Sequence, residues 1–230
     1  MPDIVYFLKE QPYNEELRYS LRSVDLNMPE EKVWFYGGCP GGLQPDEHVG
    51  MVQTGQTKWE RVNRMLRAAC ENEDITEDFY LFNDDFYIMQ PMKKIPVYYN
   101  KTIPERIIEI ENRHSCSATN YTRQLRKMLA LLQKEKMTVK NYALHIPILI
   151  NREKALETLD RFPDSPMFRC LYGNMHKIGG KQKDDVKIHR LNDDIDIDAD
   201  FLSSTDKTFQ GGTVGMYIRR VFTEPSRFER

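Results

Sequence analysis

The chain has 230 residues, 30% of them charged, with 33 basic against 35 acidic side chains and a net charge of -2. That length fits a single domain with a sizeable core, and the near-neutral balance excludes a global field drawing it to nucleic acid or an acidic membrane. Cys39, Cys70, Cys116 and Cys170 form no CxxC pair, so they read as scattered reduced thiols rather than a disulfide framework.

Residues 4–8 read as a buried first strand, behind an N-terminus whose early acid and short apolar run argue against a signal peptide. Asn14 caps a helix predicted to reach about Leu26, with Leu17, Leu21 and Val24 facing inward. Residues 32–36 form a second strand, followed by the loop GGCPGG (37–42) and a short third strand at 49–52. Residues 58–70 spell a helix with Trp59, Val62, Leu66 and Ala69 on one face. Residues 79–82 are the next strand. Strands separated by helices of this length predict βαβ units and a largely parallel sheet. In the second half, 120–136 is an amphipathic helix within a helical insertion at about 100–140. A strand at 143–150, a helix at 152–160 and a strand at 186–191 follow, and Gly211-Gly212 open a last helix to about Phe222. Residues 142–150 are too short to span a membrane and hold His145 and Pro147. The expectation is a soluble, cytoplasmic chain.

Residues 79–89, FYLFNDDFYIM, carry the strongest chemical signal. A buried strand runs into Asn83-Asp84-Asp85, and adjacent carboxylates beside a core are costly unless a cation, a metal or solvent compensates them. In α/β sheets, ligands collect at the carboxyl ends of strands. In an extended segment Asn83 and Asp85 share one side and Asp84 takes the other. Asn83 and Asp85 are therefore candidate ligands for one hard cation, Mg²⁺ or Mn²⁺, shared with a substrate diphosphate. A polar turn between two strands is the competing reading.

Arg18 and Arg22 lie one turn apart on the first helix, where like charges call for an anion between or above them. Glu15 and Asp25 are spaced to supply it, as is a nucleotide phosphate. His145, in YALHIPILI, is either a satisfied core histidine or a catalyst. Residues 194–200 alternate acid with apolar residues, but Ala199 and Thr205 exclude an EF-hand. Asp196–Asp200 then read as a solvated edge, which leaves Asp193 and Asp194 as the functional candidates there. Gly211-Gly212, ahead of Arg219 and Arg220, fits an anion site or a plain helix start.

DIVYFLK, NEELRYSLRS and FYLFNDDFYI, then Leu144-His145-Ile146-Pro147 and HRLNDDIDID, occur in that order over residues 3–200. Together they resemble the conserved regions of Stealth-type proteins. That family includes bacterial capsular polysaccharide phosphotransferases and the eukaryotic N-acetylglucosamine-1-phosphotransferase. The chain is also similar to compact glycosyltransferase-like proteins of phage and prophage genomes. It is shorter than Stealth proteins and lacks the TWV-type continuation of their first region.

The resemblance implies one GT-A-like (Rossmann-like) α/β domain over residues 1–230, a nucleotide-sugar donor, and a divalent metal (Mn or Mg) at the acidic strand end. Asn83 there replaces the first acid of a DxD pattern. It places Arg18 and Arg22 near the donor phosphates, and Lys58 and Asn63 on a polar helix approaching the donor. For the base that an inverting reaction needs, Asp84, Asp193, Asp194 and His145 are candidates. The expected function is transfer of a sugar or sugar-1-phosphate to a glycan or a hydroxymethylated DNA base, with residues 177–187 as a modest basic lip. The alternative is a non-catalytic nucleotide- or glycan-binding module on the same fold.

Overall fold

Capped amphipathic helices alternate with short apolar strands along most of this sequence, and a computed structural model describes residues 1–28, 32–52, 54–55, 57–114, 119–163 and 165–230. Cys116 lies outside the described residues. The first half runs β1 (Asp3–Leu8), α1 (Glu15–Asn27), β2 (Val33–Gly37), β3 (Glu47–Val49), α2 (Lys58–Glu71), β4 (Asp78–Phe82) and β5 (Phe86–Ile88). It continues with β6 (Tyr98–Tyr99), α3 (Ile103–His114), α4 (Asn120–Lys134), β7 (Ile148–Asn151), α5 (Arg152–Arg161) and α6 (Phe168–Met175). The chain closes with β8 (Lys181–Gln182), β9 (Phe201–Ser203), α7 (Asp206–Gly211) and α8 (Thr213–Val221).

The central sheet has five strands in the order β3-β2-β1-β4-β7. The first four are parallel, and β7 runs antiparallel to β4. Such a mainly parallel sheet flanked by helices is compatible with a Rossmann-like fold. Alternation along β1 sends Ile4, Tyr6 and Leu8 to the face covered by Leu17, Leu21 and Val24 of α1, and Val5 to the face covered by Leu66 and Ala69 of α2 and Leu159 of α5. A third cluster joins α3 and α4, which fall within residues 100–140, to α6. A fourth packs β5 and β9 against α7 and α8. No helix among the described residues is long and apolar enough to cross a membrane.

Three polar residues tie α1 to β5. The Ser20 hydroxyl donates to the Phe86 carbonyl at 2.6 Å, the Ile88 amide donates to Ser23 Oγ at 3.0 Å, and Asn27 Nδ2 donates to the Ile88 carbonyl at 2.7 Å. They fall on one helix stripe, and both serines are fully buried. This rail satisfies one edge of β5 while β9 pairs with the other, so the turn between β4 and β5 is fixed against the start of α1.

Three expectations need correction. The third strand, expected at 49–52, is Glu47–Val49, paired with β2. Regular pairing at 143–150 begins only at Ile148, because Pro147 has no N–H to give a ladder. Residues 186–191 are not a strand: a single bridge joins Lys187 to Ser203, and the chain then turns at Leu191-Asn192. The apolar alternation of Val186 and Ile188 reflects an extended segment without a ladder.

Candidate functional site

The winding of the sheet leaves a crevice. From β1 the chain moves outward to β2 and β3, then crosses back to β4 on the other side of β1. Ligands of open α/β sheets bind at the carboxyl ends of strands where the winding reverses. A cavity of about 350 Å³ opens there, lined by Lys9, Gln11 and Tyr13 after β1, Glu16 of α1, Asp84 after β4, and Asp206 of α7. The glycine-rich loop backs it: the Gly38 amide donates to the Leu8 carbonyl and that of Gly41 to the Pro12 carbonyl, both at 3.0 Å. A Cβ on Gly38 would run into the Lys9 carbonyl, so glycine permits the close approach.

Asp84 sits against the first turn of α1. Asn14 serves two ends at once: its Oδ1 accepts from the Leu17 amide at 2.9 Å as the helix cap, and its Nδ2 donates to Asp84 Oδ2 at 2.7 Å. Burial, then the neighbouring Asp85 charge, push the Asp84 carboxyl above its usual range. Glu16 is pushed up to about 7, chiefly by burial and then by the charges of Asp84, Asp85 and Asp206. Its Oε1 accepts from the Ser204 hydroxyl at 2.5 Å, and Ser204 Oγ in turn lies 3.0 Å from the Tyr87 hydroxyl. The site therefore holds two carboxyls whose proton affinity is raised, Glu16 to near neutral pH.

That shift sets a stability signature. Unfolded, Glu16 ionises near 4.5; folded, it does so near 7. Between those values the folded state keeps a proton that the unfolded state has lost, so stability falls as pH rises through the window. The full cost is reached above about pH 7 and is on the order of 3 kcal/mol. Glu16→Gln keeps an acceptor for Ser204 and removes the charge. Urea unfolding at pH 5 and pH 8 should show a smaller loss in the variant than in the wild type; equal losses would exonerate Glu16.

Asp85 turns the other way. The Phe86 amide donates to the Asn83 carbonyl at 3.3 Å, closing a tight turn. Strand alternation thus ends at Phe82, and Asn83 and Asp85 do not share a side as an extended segment would dictate. Asn83 is exposed, whereas Asp85 is buried and its Oδ2 accepts from the Lys187 ammonium at 2.5 Å. Asp85 Oδ1 is buried without a partner. Among the described residues no three His, Cys, Asp or Glu side chains are placed to hold one ion. As placed, Asn83 and Asp85 do not share a side as expected, and Lys187 occupies one of the two Asp85 oxygens.

His145 stands beside this turn: β7 runs antiparallel to β4, with Leu81 paired to Ile148, and His145 lies just ahead of β7 with its ring near that of Phe86. It is held from several sides. Its backbone N–H donates to Asp185 Oδ1 at 2.9 Å, and its Nδ1 lies 2.8 Å from Asp185 Oδ2. Arg169 donates to the flanking carbonyls, to Leu144 at 2.7 Å and to Ile146. The ring meets Phe86 edge-on at 6.3 Å. Burial pushes the Asp185 carboxyl up, but the His145 hydrogen bonds and charge outweigh it and hold it below the usual range.

The other expected residues lie elsewhere. Arg22 forks onto Glu229, at 2.6 and 2.7 Å, and also donates to the Phe222 carbonyl at 2.9 Å. Arg18 reaches Glu229 at 3.6 Å and stacks 5.2 Å from the centre of the Tyr13 ring, one residue removed from the cavity. The anions considered as their partners are engaged by other arginines, Glu15 by Arg219 and Asp25 by Arg227. Asn63 is buried and donates to the Pro163 and Ser165 carbonyls at 3.4 and 3.3 Å, joining α2 to the loop before α6. Lys58 is exposed over Trp59. Asp194 is exposed, and Asp193 accepts from the Arg190 amide at 3.1 Å to close its own turn. None of the six expected residues Arg18, Arg22, Lys58, Asn63, Asp193 and Asp194 lines the cavity.

Glu16, Asn14, Asp206, Asp185 and Lys187 are site residues that the sequence did not single out. Asn14 was readable only as a helix cap. Asp206 and Lys187 reach the turn from more than 100 positions away, a juxtaposition that no local spacing reveals. No protein-family model and no curated protein matches this chain.

Proposed function

We propose that this chain is a GT-A-like transferase that moves a sugar, or a sugar-1-phosphate, from a nucleotide-sugar donor to a hydroxyl. The acceptor is a glycan or a 5-hydroxymethyl pyrimidine of DNA. The observation that carries this reading is the half-buried Asp84 carboxyl, its proton affinity raised, on the wall of a cavity at the β1–β4 reversal. A carboxyl with raised proton affinity suits removal of a proton from an acceptor hydroxyl as the bond to the sugar, or to phosphorus, forms. Phe7 and the half-exposed Tyr13 ring supply apolar surface at the cavity for the donor base.

The test is a panel of nucleotide sugars offered with glycan acceptors and with hydroxymethylated oligonucleotides. At least one donor should raise the melting temperature and be consumed faster when its acceptor is present. Binding without turnover of any donor would replace the transferase by a binding module, and no binding at all would end both readings.

His145 is the second proton-transfer candidate, and its Asp185 partner makes the role measurable. If His145 accepts the proton, His145→Gln should lower kcat about 100-fold with little change in donor affinity. Asp185→Asn should move the pH profile of the rate as well as its height. An unchanged profile in both variants would leave proton transfer to Asp84 and Glu16.

A further inference from the structure

The cavity at the β1–β4 reversal carries more negative than positive charge. Glu16 of α1, Asp84 of the turn after β4 and Asp206 of α7 bring three carboxyls to its wall, and among the described residues Lys9 is the one cation of the lining. A fourth acid there, Glu15, is forked onto Arg219 through both oxygens, each at 2.9 Å. Glu16 and Asp84 meet neutral donors instead, the Ser204 hydroxyl and the Asn14 side-chain amide. Asp206 is exposed at the start of α7. We propose that the acceptor is an amino sugar carrying a free ammonium, which seats its amine against Glu16 and Asp206 and turns the neighbouring hydroxyl to Asp84. This names the acceptor class for the transferase reading and rests on that reading.

Two features call for a cation there. Carboxylates gathered on one wall raise one another's energy until a proton or a cation joins them. Glu16 already feels this, pushed up to about 7 chiefly by burial and then by Asp84, Asp85 and Asp206. Next to Asp84, Asp85 is 9% exposed and pairs through one oxygen with Lys187, while its Oδ1 is buried without a partner. The turn is short of donors even after its lysine is counted. An ammonium suits acids that come from three separate elements, because its three N–H donors reach oxygens at hydrogen-bond distance, whereas Mg²⁺ draws its ligands in to about 2 Å. A neutral sugar leaves the carboxylate charges facing one another. A hydroxymethylated DNA strand adds negative charge to the same wall, with Lys9 to meet it, and like-charge juxtaposition selects against it. The amides of Gln11 and Gln210 serve the sugar hydroxyls, and the donor base keeps to Phe7 and Tyr13 on the β1 side. In the transfer, the hydroxyl oxygen bonds to the sugar carbon or to phosphorus as the bond to the departing nucleotide breaks with its electron pair. The hydroxyl proton goes to Asp84, and the ammonium keeps its three protons.

The test titrates the full chain with glucosamine, with N-acetylglucosamine and with a hydroxymethylated oligonucleotide, followed by calorimetry in buffer containing EDTA. Glucosamine should bind at least about tenfold more tightly than N-acetylglucosamine, which has the same ring without the charge. Asp206→Asn should cut that preference about three- to fivefold, as fits an exposed partner, and Glu16→Gln should cut it further. Raised salt should narrow it as well. Failure of glucosamine to bind, equal affinity for the two sugars, or tighter binding of the oligonucleotide overturns the proposal. So does glucosamine binding that needs Mn²⁺, or a preference unaltered in both folded variants. Should neither variant fold, the wild-type salt dependence decides: a preference that narrows supports the amine seat, and one indifferent to salt overturns it. Glucosamine binding without turnover of any nucleotide sugar keeps the seat and removes the transferase. Donor turnover that is the same with and without an amine on the acceptor does the reverse.

Discussion

Asp84→Asn is expected to lower turnover by about 10³-fold while leaving the protein at least as stable as the wild type. The carboxyl is held above its usual range by burial and by Asp85, which means that its charged form is disfavoured where it sits. An amide removes that penalty and still offers an oxygen to Asn14 Nδ2, the partner at 2.7 Å. What it cannot do is accept a proton from a hydroxyl in the transition state, and loss of a general base costs about 10²–10⁴-fold. Steady-state rates at saturating donor, paired with urea unfolding, separate the two effects. Near-wild-type turnover would remove Asp84 from the chemistry. A fall in stability matching the fall in rate would make it a structural residue.

Arg22→Ala is expected to do the opposite: a loss of about 3 kcal/mol in stability with donor affinity unchanged in the folded fraction. The guanidinium and Glu229 are both about 11% exposed, and the pair is bidentate. Burial pushes the Glu229 carboxyl up, but the Arg22 hydrogen bond and other local contacts outweigh it and keep it below its usual range. Truncating the arginine leaves Glu229 without its fork and frees the Phe222 carbonyl. The tail from Phe222 to Arg230 would then lose its main anchor on α1. Removing both charges, in Arg22→Met with Glu229→Met, should recover much of the loss, since the uncompensated charge is what costs most. A stable Arg22→Ala with weakened donor binding would return this residue to the phosphates.

The first half of the fold was legible because its signals are local. Asn14 and Thr57 cap their helices as their side chains suggest, and the apolar runs at β1, β2 and β4 are buried as continuous runs. The two NDD triplets show where that legibility stops. Each follows an apolar stretch in the sequence, yet the first lies between two real strands and the second closes an exposed turn on its own backbone. A triplet encodes a turn; what surrounds the turn is set by elements far along the chain. The arginines illustrate the same limit. Spacing on α1 offered Glu15 and Asp25 as partners, but Glu229, about 200 residues on, has the better geometry for Arg22. Of the candidate site, Asp84, Asp85 and His145 were readable from sequence, because strand ends and a histidine beside a sheet are marked in the chain itself. Glu16 was not, since an acid in the first turn of a helix is ordinary.

The serine and asparagine rail between α1 and β5 also limits how the cavity can adapt. Apolar faces slide past one another at small cost, but a hydrogen-bonded rail has only discrete seats. Moving α1 by a single residue, about 1.5 Å along its axis, would unseat Ser20, Ser23 and Asn27 together and leave buried polar atoms unpaired. Glu16 on the helix and Asp84 at the strand end are therefore held at a fixed spacing, like two marks on one ruler. Any accommodation of a larger or smaller ligand falls to the loop at residues 9–13 and to α7, which meet the cavity from its other sides.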